Sequence, residues 1–60
     1  MFIIEIKYND GSRAYVHVEG TSYSPIRKTW ATKFGTQKAA EAFIRTMPVY
    51  RFCNAIVRVA

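Results

Sequence analysis

The chain has 60 residues, half of them hydrophobic and 22% charged, with a formal net charge of +5. That composition excludes a polar disordered chain, and the lack of any long apolar run excludes a membrane-spanning helix. A chain this short makes one domain, residues 1–60, and buries only about 60% of the surface its unfolded form exposes.

The charge is unevenly spread. Residues 1–19 hold Lys7 and Arg13 against Glu5, Asp10 and Glu19. Residues 20–60 hold Arg27, Lys28, Lys33, Lys38, Arg45, Arg51 and Arg58 against Glu41 alone. The two parts therefore carry −1 and +6, an asymmetry that favours an anionic partner.

In "FIIEIKY", Phe2, Ile4, Ile6 and Tyr8 alternate with Ile3, Glu5 and Lys7, the period of a half-buried strand. With Glu5 interrupting it and no basic region before it, this start reads as a strand and not a signal peptide. "RAYVHVE" repeats the pattern, with Ala14, Val16 and Val18 on one face and Arg13, Tyr15, His17 and Glu19 on the other. Parity chooses the turn between them. A two-residue loop at Asp10-Gly11 would set one strand's apolar residues beside the other's polar ones. The three-residue loop Asn9-Asp10-Gly11 pairs Ile6 with Ala14, Ile4 with Val16 and Phe2 with Val18, so both apolar sets share a face. It also puts Gly11 at the left-handed position of a G1 bulge.

"GTSYSP" is a cluster of breakers, and Ile26–Phe34 reads as a weaker third strand at a sheet edge. Ile26, Trp30 and Phe34 point one way along it, which assigns the Trp30 ring to the core. Thr36 is placed to cap a helix in which Ala40, Phe43, Ile44 and Met47 make one apolar stripe. Pro48 stops that helix at Met47. "VYRFCN" is a connector, and "AIVRVA", apolar on nearly both faces, reads as a strand near the middle of a sheet.

The order β-β-β-α-β predicts an α+β domain with one mainly antiparallel sheet and one helix packed on one face. A crossover from the third strand through the helix to the fourth would leave those two parallel. The helix covers Phe2, Ile4, Ile6, Ala14, Val16, Val18 and one side of residues 55–60. The opposite face, with Ile3, Lys7, Arg13, Tyr15 and His17, is left open.

Catalytic and metal chemistry find little support in these residues. Cys53 is the only cysteine, so no internal disulfide is available, and His17 the only histidine. One imidazole beside one carboxylate falls short of a metal site. There is no glycine-rich phosphate loop and no pair of carboxylates at a shared position. The sequence therefore points to a non-enzymatic protein without metal or cofactor.

Its informative residues are basic and aromatic. "SYSPIRKTWATK", residues 22–33, holds Arg27, Lys28 and Lys33 with Tyr23 and Trp30 and no acid. Together with Arg13 and Tyr15 on the open face, Tyr23, Arg27, Lys28 and Lys33 are the candidate partner-binding residues. Aromatic and basic side chains on a sheet face or edge suit strand addition or a charge-complementary patch. The same mixture suits single-stranded nucleic acid.

The stretch "ATKFGTQKAAEAFI", residues 31–44, resembles a pattern common in very short bacterial and phage proteins. There a strand ending in Phe leads through a Thr or Ser cap into an Ala-rich helix; Phe34, Thr36, Ala40 and Phe43 carry the likeness. The resemblance implies a phage accessory protein, a group that includes host-defence inhibitors such as anti-CRISPR proteins. Those act by stoichiometric binding. Many are acidic mimics of nucleic acid, which this basic chain is not. The expectation is a binding protein in the cytoplasm of a bacterial host, partnered by a host protein or nucleoprotein complex with an acidic surface. Direct nucleic-acid binding and a homodimeric module are the alternatives. No membrane partner is expected.

Overall fold

The turn between the first two strands fixes their register. In the computed structural model, which describes residues 1–20, 22–46 and 54–60, Phe2–Lys7 (β1) and Arg13–Glu19 (β2) pair antiparallel with Ile6 opposite Ala14. The Tyr8 N–H donates to the Ser12 carbonyl at 2.9 Å across Asn9-Asp10-Gly11, and Gly11 sits at φ +89°. The Asp10 carboxylate accepts from the Ser12 N–H at 2.8 Å and its hydroxyl at 2.6 Å, tying the loop tip down. The three-residue turn stands as parity required.

The third and fourth strands lie elsewhere than the sequence suggested. Ser22–Ile26 (β3) pairs antiparallel with β2, and Asn54–Val59 (β4) pairs antiparallel with β1, giving the order β3-β2-β1-β4. The expected strand at 26–34 is instead a 3-10 turn at Lys28–Trp30. β3 starts early because Gly20, at φ +60°, lets the chain reverse directly after β2. Pro25 is tolerated opposite Val16 because β3 is an edge strand.

β1 and β2 are paired only from Glu5↔Tyr15 towards the turn, so Ile4–Val16 and Phe2–Val18 are not partners. Residues 32–34 bind both strands there. The Thr32 N–H donates to the Val16 carbonyl at 2.9 Å, and its Oγ1 accepts from the Val18 N–H at 2.8 Å. Phe34 forms an antiparallel bridge with Phe2 through bonds of 2.9 and 2.7 Å.

This arrangement corrects the expected topology. β3 and β4 sit on opposite edges and run antiparallel to each other. The segment around Phe34 and β4 both run antiparallel to β1, so the parallel relation holds for that short bridge and not for β3. β4 is not central either; the middle positions belong to β1 and β2.

Gln37–Ile44 (α1) packs on one face of the sheet, and Thr36 Oγ1 accepts from the Ala39 N–H at 3.1 Å as its N-cap. The helix ends at Ile44, short of the predicted Met47, with the Thr46 N–H returning to the Phe43 carbonyl at 3.0 Å. Met47, Pro48 and most of the predicted connector, up to Cys53, lie outside the described residues.

Ile4, Ile6, Val16 and Ala40 are fully buried, with Phe2, Val18, Tyr23, Phe34, Phe43, Ile44, Ala55 and Val57 packed around them. Burying each large aliphatic side chain contributes about 1.5–3 kcal/mol. A domain of this size retains only a few kcal/mol in all, so each counts. β1 is more than half-buried: Ile3, Ile4, Glu5 and Ile6 are all buried, which reaches both faces of the sheet.

Candidate basic sheet face

Side-chain alternation assigns the face away from α1. Register sets Glu5 opposite Tyr15 on one side and Ile56 on the other, with Ile3 opposite Arg58 and Lys7 opposite Arg13. Residues directly opposite one another share a face, so one carboxylate lies among several cations.

Glu5 is only 4% exposed. Its Oε2 accepts from the Tyr15 hydroxyl at 3.0 Å, and Arg13 Nη1 stands 4.0 Å away. Its Oε1 accepts from Arg58 Nε and Nη2, both at 3.4 Å. Burial pushes the Glu5 carboxyl up, but the Tyr15 hydrogen bond and the Arg58 and Arg13 charges outweigh it and hold the group below its ordinary value. Donating to Glu5 raises the Tyr15 phenol above its ordinary value, so the hydroxyl keeps its proton at neutral pH.

A concavity of about 390 Å³ opens here, lined by Ile3, Glu5, Arg13, Tyr15, Lys28, Arg58 and Val59. Arg13 and Arg58 flank the carboxylate and Lys28 lines the same hollow, so three cations and one acid leave a residual charge of +2. The Arg13 and Arg58 side chains remain 55% and 54% exposed, so each keeps N–H groups turned to solvent. Arg58 turns its Nε–Nη2 edge to Glu5, which orients the guanidinium plane and leaves Nη1 and the second Nη2 hydrogen to donate outward as a fork.

The 3-10 turn brings the third cation. The Trp30 N–H donates to the Arg27 carbonyl at 3.0 Å and the Ala31 N–H to Lys28 at 3.2 Å, closing a tight loop beside β2. His17 Nδ1 meets the Trp30 carbonyl at 3.0 Å and its Nε2 stands 3.3 Å from Glu19. The turn buries Ala31 and leaves Trp30 64% exposed. Trp30 is therefore not a core residue, contrary to its phase with Ile26 and Phe34; a 3-10 turn does not keep the two-residue alternation of a strand.

Of the residues that the sequence singled out, Arg13, Tyr15 and Lys28 come together in the concavity. Arg27 and Lys33 are exposed and do not line it. Tyr23 is on the helix side, its ring set edge-on to Phe43 at 6.2 Å and 88°. The face is not wholly open either, since Ile3 is 2% exposed. Sequence reasoning missed Glu5 and Arg58 as members of the site. The signal was present in each case: a single charge within an apolar run, "FIIEI" and "IVRVA".

A second hollow of about 410 Å³ lies between α1 and β4, with Glu41 and Arg45 of opposite charge beside Ile44 and Val57. Among the described residues no three of His, Cys, Asp and Glu are grouped as a metal would need. No helix there is long and apolar enough to cross a membrane. Compared with known proteins, the chain matches no family model, no curated protein and no solved structure.

Proposed function

We propose that this chain is a small non-enzymatic binding protein that docks its basic, aromatic-flanked sheet face on an acidic surface of a larger host complex, protein or nucleoprotein. In the bacterial cytoplasm it would inhibit or modulate that complex by occupying the surface, one copy to one site. The observation that carries this reading is the concavity that Arg13, Lys28 and Arg58 line with buried Glu5, with exposed Trp30 in the same 3-10 turn as Lys28. A residual charge of +2 with the Arg58 guanidinium plane oriented by Glu5 favours an anionic partner, and an exposed tryptophan is the side chain most suited to anchor an interface. Arg27 and Lys33 extend the basic rim.

The test is capture from a bacterial lysate with and without nuclease, run beside two variants. Arg13→Ala with Lys28→Ala should lose the captured complex. Lys38→Ala, the loss of one charge on the exposed side of α1, should keep it. Capture that survives the double substitution unchanged would overturn the reading.

A further inference from the structure

We infer that the concavity over Glu5 is a phosphate-binding site for single-stranded nucleic acid, with Trp30 as the platform for a neighbouring base. This deepens the docking proposal and rests on it, naming the acidic component that enters the face.

The chemistry follows from what lines the hollow. Glu5 is already satisfied by Tyr15 and Arg58, so it acts as a backing group that orients the guanidinium and not as a ligand site. An arginine held in one plane loses less side-chain freedom on meeting an oxyanion than a free one does. Phosphate oxygens match this fork, and Lys28 adds a point charge that no acid among the described residues meets. An acidic peptide would have to bring two carboxylates together to match a residual charge of +2. A nucleic-acid strand carries successive phosphates along its backbone, so two reach the site without special arrangement.

Trp30 decides between single and double strands. Its turn carries Lys28 into the concavity, and its carbonyl is tied to His17 on the same face. Trp30 is 64% exposed, so an aromatic side chain with a flat π-face is accessible from solvent. Base stacking on such a ring requires an unpaired base, and a duplex has none to give.

Trp30 is the only tryptophan, so its fluorescence reads the site directly. The experiment titrates the whole chain with a short oligothymidylate, a duplex of equal length and a polyglutamate peptide. Oligothymidylate should quench Trp30, with log K falling against log[salt] at a slope of about −1.4 for two phosphates. Read by anisotropy of a labelled oligonucleotide, Lys28→Ala should flatten that slope by about 0.7. Arg58→Lys, which keeps the charge but loses the fork, should weaken binding about tenfold while circular dichroism shows the fold retained. Trp30→Ala should also cost about tenfold, and Lys38→Ala less than about twofold.

Equal affinity for the duplex, or an Arg58→Lys variant that binds as well as the parent, would overturn the inference. So would tight polyglutamate binding with none to oligothymidylate, and in that case the docking proposal would stand. Capture of no complex from lysate together with no binding to any of the three probes would sink both.

Discussion

Glu5 shows how one side chain can both threaten and organise a small fold. A buried carboxylate without partners is costly, whereas this one has a phenol and two guanidinium groups around it. Because its folded-state value is depressed, the stability it contributes is complete above the ordinary value of 4.5 and is lost as pH falls through the lower folded value. Asp10, depressed by its hydrogen bonds from Ser12, acts in the same direction below its ordinary value of 3.8. Glu5→Gln should therefore lower the thermal midpoint at neutral pH. The gap to the parent should narrow as pH falls below 4.5 and through the lower folded value, while the Asp10 part of the acid loss remains in the variant. Melting curves across that range check it; a gap that stays constant would show that partner charges do not hold Glu5 ionised. In the sequence Glu5 was visible as an acid on the Tyr15 face. Its burial was not, because that depends on Arg58, 53 residues away.

Among the elements, the join between β1 and β2 is the place where local and non-local forces part company. The hairpin end was legible from parity, since only one loop length puts both apolar sets on one face. Further from the turn the strands separate, and residues 32–34 supply the hydrogen bonds that each strand would otherwise lack. No pattern inside 26–34 announces this. Ile26, Trp30 and Phe34 lie at even spacing and read as a strand, while the 3-10 turn and the Phe2–Phe34 bridge arise from partners far along the chain. Thr32→Val tests the join, since it keeps the shape but leaves the Val18 N–H without its acceptor. The loss should be about 1–3 kcal/mol. In a domain of this size each kcal/mol moves the thermal midpoint by about 4–8 °C. An unchanged midpoint would mean that the Val18 amide finds another partner.

At the scale of the molecule, β1 is the hub. It pairs with β2 through a local turn and with β4 over six positions, from Phe2↔Val59 to Lys7↔Asn54. The second pairing closes almost the whole chain on itself and brings Arg58 to Glu5, so the sheet and the basic face depend on the same event. A chain lacking residues 55–60 would expose the outer edge of β1 and strip Ala55 and Val57 from the core. It should show no cooperative melting transition by far-ultraviolet circular dichroism. A sharp transition in that shortened chain would place the folding core in the β1–β2–β3 meander instead.

The α+β class, the three-residue turn, the Thr36 cap and the inward stripe of Ala40, Phe43 and Ile44 were legible in the order of residues. Each follows from residues a few positions apart, whose alternation or capping chemistry acts before any distant contact forms. Contacts between distant parts of the chain set β4 on the edge beside β1, bind 32–34 to the parted hairpin, turn Trp30 to solvent, and gather Arg13 and Arg58 about Glu5 at a hollow. These depend on which strands meet across the full length of the chain. A strand's own residues state what it can bury on each face, and its neighbours in the sheet settle which of those faces is covered.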